Sequence, residues 1–398
     1  FVRFLTQLVR DKTVGPRAVP IIPDEARTFG MEGMFRQLGN FSQQGQLYEP
    51  VDKDQVMYYR EDAKGQILEE GINEAGAMSS WIAGATSYST NNRIMIPFYI
   101  FYSMFGFQRI GDLAWAAGDM QARGFLLGAT SGRTTLNGEG LQHQDGHSHL
   151  MSATIPNCVS YDPTFAHEVA VILQHGLKRM VEDQENVWYY VTLMNENYPH
   201  PGLGKGREEG ILKGMYLLKE GMAGSGRGLS IPRVQLLGSG TILREVIAAA
   251  ELLEQDWGVA GDIWSATSFT ELRRDGIDAE RFNLLHPAEK APRKAYVTQL
   301  LEKTAGPVVA STDYMRLFAD QIRPYIPRGR SYTVLGTDGF GRSDTREKLR
   351  EFFEVNRYYV AVAALKALAD EGALPLAKVG EAIRRYKLNP DKPSPATV

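Results

Sequence analysis

The stretch RIMIPFYIFYSMFGFQRIGDLAWAA, Arg93 to Ala117, decides the fold class. Its first part, RIMIPFYI, is a short run of apolar, branched and aromatic residues that reads as a strand. Nothing in the run alternates with polar residues, as expected for a strand covered on both faces. From Tyr102 to Ala117 the apolar residues fall instead at helical spacing. Strands interleaved with helices in this way build parallel sheets.

The same unit recurs on both sides. VPIIP, RGFLLGAT and VWYYVTL are further strand candidates in the first half, with helices expected over 67–85 and 164–181. In the second half RVQLLGS, DIWSAT, VVAST and SYTVLG read as strands, with helices expected over 242–255, 314–322 and 345–369. At 398 residues the chain is too long for one ordinary core. The expectation is an α/β fold of two domains, each a largely parallel sheet flanked by helices. PHPGLGKGREEG and GMAGSGRGLS, the most glycine-rich stretches, bracket one short helix between Pro199 and Ser230 and mark the connection. The expected domains are residues 1–203 and 204–398.

Hydrophobic residues at 43% and charged residues at 23% are those of a soluble globular protein. A net charge of −3 gives no argument for a nucleic acid or an anionic membrane surface as partner. No apolar run approaches the roughly 20 residues of a spanning helix. The single cysteine, Cys158, excludes an internal disulfide framework and fits a reducing cytoplasm. FVRFLTQLVRD has no initiator Met and places Phe1, Phe4, Leu5 and Leu8 at helical spacing, so the chain reads as a piece of a longer polypeptide. The proline-rich tail KLNPDKPSPATV is expected to be loose or draped over the surface.

Three stretches carry candidate chemistry. NGEGLQHQDGHSHL, Asn137 to Leu150, holds three of the seven histidines, at i, i+4 and i+6. On a helix His143 and His147 would share a face, as zinc-binding pairs do. However, Gly138, Gly140 and Gly146 break a helix here, and neither HExxH nor CxxC is present, so no metal ligands are assigned. The open readings are backbone-bonded loop histidines, or a catalytic loop in which imidazoles move protons near neutral pH. In ILEEGINEAGAMSSWIAGATS the carboxylates Glu69, Glu70 and Glu74 are expected to open a small-residue helix. They either cap its positive end or bind an ionisable ring. PFYIFYSMFGFQR crowds six aromatic residues, which reads as core or as a wall that stacks a flat heterocycle. LLGSGTILREV has the look of a phosphate cradle but lacks the third glycine, so a tight βα turn is expected. LGTDGFGRSDTREKL should open a helix capped by Ser343 or Asp344, with Arg342 placed to hold an anion.

Together LEEGINEAGA, IPFYIFYSMFGFQRIGDLAWAAGD, TSGRTTLNGEGLQHQDGHSHL and VLGTDGFGRSD resemble the homodimeric bacterial pyruvate dehydrogenases, the decarboxylating first component of their complex. The resemblance runs from Phe1 to the tail. The histidine loop and the acidic helix separate this family from transketolase, its relative in fold. It implies a transketolase-like pyrimidine-binding domain followed by a C-terminal domain. It also implies thiamine diphosphate and Mg2+ as cofactors, with the magnesium ligands in an N-terminal domain. That domain's GDG motif does not occur in this sequence. By match to the family, Glu74 would bond the aminopyrimidine ring nitrogen and Phe105 would stack on the ring. Tyr102 and His143 would contact the substrate-derived group, and Glu139, Asp24 and Glu25 match other active-site positions. His147 and His149 are assigned only orienting roles. The implied substrate is pyruvate, and the implied partners are a second copy of the chain and the lipoyl domain and core of dihydrolipoyl acetyltransferase, in the cytoplasm. Two alternatives stay open: a non-catalytic dimerisation and docking module, or another thiamine diphosphate enzyme acting on 2-oxoglutarate or ketose phosphates.

Overall fold

The computed structural model describes residues 1–23, 26–138, 140–222 and 231–398. The first sheet contains β1 Ala18–Ile22, β2 Leu68–Glu69, β3 Ile96–Tyr102, β4 Phe125–Ala129, β5 Cys158–Tyr161 and β6 Trp188–Thr192, in the order β2-β1-β3-β4-β6-β5. Strands β2, β1, β3, β4 and β6 pair in parallel. Every residue of β3 is buried, which explains its unbroken apolar sequence. Its register sets Phe98 opposite Phe125, and the two rings stack 4.9 Å apart. Trp81 of helix α1 (Glu74–Ala85) meets Trp188 edge-on, and Phe107 of α2 (Gly106–Asp119) meets Tyr190 likewise. Most of the aromatic crowd is therefore core. Tyr102, the last residue of β3, and Phe105, just past it, are the ones set at its rim.

The second sheet contains β7 Tyr216–Lys219, β8 Arg233–Gly238, β9 Ala260–Ser265, β10 Val308–Ser311 and β11 Tyr332–Leu335, in the order β11-β10-β8-β9-β7. It is parallel except for β7, which runs antiparallel to β9 at one edge. Helices α3 (Leu243–Trp257) and α6 (Arg357–Asp370) cover one face through Val246, Leu253, Ala364 and Leu368. Helix α4 (Phe269–Leu285) and its neighbours cover the other through Phe269, Leu272 and Phe318.

Packing divides the chain into two compact units. One comprises Phe1–Ser131, Met151–Ser160 and Ile172–Asn195; the other comprises Gly132–Leu150, Tyr161–Val171 and Glu196–Val398. Between the glycine-rich stretches lies one short helix, Glu208–Lys213, while residues 223–230 of the second stretch fall outside the described residues.

Some expected elements change. The helix expected from residue 67 begins at Glu74, because Leu68 and Glu69 pair with β1 as β2 and the Glu70 amide donates to Ile22. Glu69 and Glu70 therefore do not open the helix. Asn73 caps it, accepting from the Gly76 amide at 3.1 Å. The helix expected over 345–369 is two, α5 (Arg346–Phe352) and α6, parted at Glu354, whose φ is +62°, and recapped by Asn356. Thr345, not Ser343 or Asp344, caps α5. Within 314–322 only Leu317–Asp320 is helical. The tail is draped: Lys392 donates to Glu354 and to the Phe352 carbonyl, while Gly339 lies against Pro395.

Candidate active site

Glu74 is the first residue of α1, where the unpaired amides of a helix start favour a carboxylate. Its side chain is only 12% exposed, and its Oε1 accepts from Nη1 of Arg109 at 2.6 Å. Arg109 comes from α2, and its guanidinium lies 4.3 Å above the centre of the Phe105 ring. Phe105 in turn meets Tyr102 edge-on at 6.1 Å, and Tyr102 leans on Phe29 at 5.4 Å. Glu70 accepts from the Ser80 hydroxyl. Tyr99, the middle residue of β3, is fully buried, and no described group bonds its hydroxyl. Burial, and then the nearby Glu74 charge, push that phenol up. A carboxylate acceptor and a flat aromatic face thus stand past the end of β3, and an unpaired hydroxyl lies buried within the strand. This donor and acceptor set fits a planar heterocycle with N–H groups along one edge.

The histidine loop belongs to the other unit. His143 ends a 3-10 turn, Leu141–His143, and is half-buried. The next residue, Gln144, is fully buried and brackets the Arg342 peptide, accepting from its amide at 2.8 Å and donating to its carbonyl at 2.5 Å. Asp145 accepts from the amides of His147 and Ser148 and from the Ser148 hydroxyl, capping the short helix Ser148–Ser152. His149 does not titrate near neutral pH: burial pushes its imidazole down to about 3. The ring is core, stacked on Phe318 and edge-on to Tyr314, both at 4.7 Å. Among the described residues no group of three or more His, Cys, Asp or Glu is arranged to hold a metal ion. Asp24, Glu25 and Glu139 lie outside the described residues.

Both glycine turns are filled by protein. A Cβ on Gly240 would stand 2.6 Å from the Asp162 carboxylate, which also accepts from Ser239 Oγ at 2.8 Å. In the other turn Gly341 packs on the Leu141 carbonyl, and the Arg342 guanidinium lies over Phe352 at 5.0 Å.

The family model for the pyruvate dehydrogenase E1 component middle domain matches residues 1–201, and that for the transketolase-like C-terminal domain matches residues 214–356. The pyruvate dehydrogenase E1 component of Pseudomonas aeruginosa is 65% identical over 395 residues, 99% of this chain and 44% of that protein. That of Escherichia coli K12 is 61% identical over 398 residues, again 44% of its length. This chain belongs to the pyruvate dehydrogenase E1 component family.

The chain thus spans 44% of the length of these E1 relatives. In fold it resembles transketolases. The enzyme from Leishmania mexicana superposes with a TM-score of 0.61 at 16% identity, covering 91% of this chain and 44% of that one. A structure described as a split-gene transketolase, an inactive β4 tetramer, gives 0.58 at 16% identity and covers 92% of this chain and 98% of its own.

Of the E1 residues singled out in the sequence, Glu74, Tyr102 and Phe105 share one unit, and their neighbourhood is built as described. His143 stands in the second unit on its clamped loop. Sequence reasoning passed over Arg109, Tyr99 and Gln144. Arg109 reads as a surface cation of an amphipathic helix, and its partner lies 35 residues away. Tyr99 reads as core because it is core.

Proposed function

We propose that this chain is the catalytic middle and C-terminal part of a pyruvate dehydrogenase, working with thiamine diphosphate and Mg2+. The reaction is oxidative decarboxylation of pyruvate with transfer of the acetyl group to the lipoyl arm of dihydrolipoyl acetyltransferase. The observation that carries this reading is the Glu74 carboxylate, held at a helix start beside the Phe105 face and the buried Tyr99 hydroxyl.

Thiamine diphosphate, when bound, supplies the electron sink that lets carbon dioxide leave a 2-oxo acid. The chain's own groups bind and orient. Glu74 accepts a hydrogen bond from the aminopyrimidine ring nitrogen, and its ionised form favours a protonated partner there. Phe105 offers a flat face for stacking. Tyr102 donates from a dry rim, where a hydrogen bond is stronger than in water. His143 holds or releases a proton next to the substrate. By their match to the family, Asp24, Glu25 and Glu139 are further carboxylates with a part in the reaction. Magnesium and the diphosphate are held by ligands other than these. The two domains divide at about residue 203, the first binding the pyrimidine. A cytoplasmic homodimer is the assembly this reading expects.

Replacement of Glu74 tests it in the native, full-length polypeptide. Glu74→Ala should lower pyruvate-dependent lipoyl acetylation by about a hundredfold or more, the scale of losing one positioned polar group. Glu70→Ala should keep most activity, since Glu70 is engaged by Ser80. Equal losses would show that the wrong carboxylate was chosen. Faster turnover of 2-oxoglutarate or a ketose phosphate than of pyruvate would move the enzyme to another substrate. No turnover and no cofactor uptake would leave a docking module.

A further inference from the structure

A cavity of about 160 Å3 lies at the carboxyl ends of the first sheet's strands, where open α/β sheets take up ligands. Ile100 of β3, Ala129 at the end of β4, Leu193 and Met194 after β6, and Phe29 and Met31 after β1 line it. It adjoins the candidate site within the same unit: Phe29 also packs on Tyr102 at 5.4 Å, and Ala129 is the register partner of Tyr102. None of the described residues that line it has an ionisable side chain, so it does not suit the carboxylate of a 2-oxo acid. A pocket of roughly 150 Å3 takes up a benzene ring. A ring therefore fits here, whereas a lone methyl group would leave most of the space empty. Two thioethers and the Phe29 ring make its wall soft and polarisable. Thr130, which also lines it, has a φ of +50°, a left-handed backbone that β-branched residues rarely adopt. The next residue pins that turn, since the Ser131 amide and hydroxyl both donate to the Leu193 carbonyl, at 3.0 and 2.9 Å. Strain held in place by its surroundings concentrates at functional turns.

We propose that this cavity seats the 1,2-dithiolane ring of the lipoyl arm while the arm accepts the acetyl group. The proposal rests on the pyruvate dehydrogenase reading given above. A dithiolane is uncharged, smaller than benzene and carries two polarisable sulphur atoms. It matches the cavity in size, in lack of charge and in the chemistry of its wall. Leu193 and Met194 hold and orient the ring, and neither takes part in making or breaking a bond.

The test compares two acceptors in the native, full-length polypeptide loaded with thiamine diphosphate and Mg2+. One is a lipoylated domain of dihydrolipoyl acetyltransferase; the other is ferricyanide, a hydrophilic anion that needs no apolar seat. Leu193→Trp and Met194→Trp, which fill the cavity, should each slow lipoyl acetylation about tenfold or more, the scale of losing one buried apolar contact. Ferricyanide-linked oxidation of pyruvate should be unchanged. Benzene added to the wild type should inhibit acetylation and spare ferricyanide reduction. A binding readout needs no turnover: saturation-transfer NMR should reach the dithiolane protons of free lipoamide with the wild type and not with Leu193→Trp. Unchanged acetylation in both variants overturns the seat. A raised KM for pyruvate with acetylation otherwise intact overturns it too, because the cavity would then serve the substrate's side chain. If both variants lose activity with both acceptors, the wild type decides, and failure of benzene to inhibit acetylation overturns the proposal. Should the wild type oxidise pyruvate with neither acceptor, the pyruvate dehydrogenase reading itself falls.

Discussion

Asp313 carries its carboxyl where water does not reach. It is fully buried after β10, its Oδ2 accepts from the Thr134 amide at 3.2 Å, and no described group bonds its Oδ1. Burial pushes it up from 3.8 to about 7, outweighing the pull of Arg350. Between those two values the folded protein holds a proton that the unfolded chain has released, so stability falls as pH rises toward and through 7. His149 acts in the opposite sense below its ordinary value of 6.5, because the unfolded chain binds a proton that the buried ring refuses. Above 6.5 only the Asp313 effect remains. Asp313→Asn, which cannot ionise, should therefore raise denaturant stability at pH 8 by about 2–4 kcal/mol more than at pH 5. Equal gains at both pH values would show that the carboxyl is ionised throughout. Neither group was legible in the sequence as a buried titrating residue. In STDY and in DGHSHL both sit in polar company, and their burial follows from contacts made far along the chain. Glu74 was separable from Glu69 and Glu70 only by resemblance, since composition placed all three alike. The physical distinction is the parallel pairing of β2 with β1, which removes the first two from the helix.

The strands buried on both faces were legible as elements because covering both faces removes most polar positions, and β1, β3, β4, β6 and β10 read that way up to their last residues, while β8 keeps a buried Gln235. The elements passed over lack that signal. Strand β7 is an antiparallel edge, and β5 is four residues long with Ser160 inside it. Helix α4 is 17 residues long, and its Ser268-x-x-Glu271 start is a capping pattern that could have found it: the Glu271 amide donates to Ser268 Oγ at 3.0 Å. The histidine loop teaches the reverse lesson, because glycine spacing argues against a helix without saying what holds the loop instead. Gln144 does, by closing both hydrogen bonds of the Arg342 peptide from a fully buried position. Gln144→Ala should cost about 1–3 kcal/mol, the range for leaving such backbone groups unsatisfied. It should also speed amide exchange at Leu141–His143, and around Arg342, more than at α3. If His143 needs that support, the Michaelis constant for pyruvate should rise while coenzyme binding holds. Unchanged exchange in the loop would show that the bracket is dispensable.

At the scale of the whole molecule, the chain does not lay down its two compact units one after the other. Gly132–Leu150 and Tyr161–Val171 precede the glycine-rich connection near residue 203 in sequence but pack within the second unit. Their burial there is specific. Gly132 admits no Cβ against Asp313, whose Oδ2 would stand 2.1 Å away, and Gly146 admits none against Arg133. His149 stacks on Phe318, and Glu168 accepts from Tyr216 at 2.8 Å and Ser265 at 2.6 Å. Composition and glycine content locate a linker by its looseness, but they carry no record of which core an earlier segment joins. The consequence is testable by dividing the chain at residue 203. A fragment of residues 1–203 keeps β1 to β6 and their aromatic core, yet leaves the buried groups of 132–150 and 161–171 without Asp313, Phe318, Tyr216 and Ser265. Buried polar groups stripped of partners open readily. Amide exchange in those two segments should rise by orders of magnitude in the fragment, while β3 and β4 change far less. Mixing in residues 204–398 should restore the protection if both pieces hold their folds. Protection of 132–150 in the lone fragment equal to that in the intact chain would mean that these segments take their stability from the first sheet, and that the division into units drawn from packing is wrong.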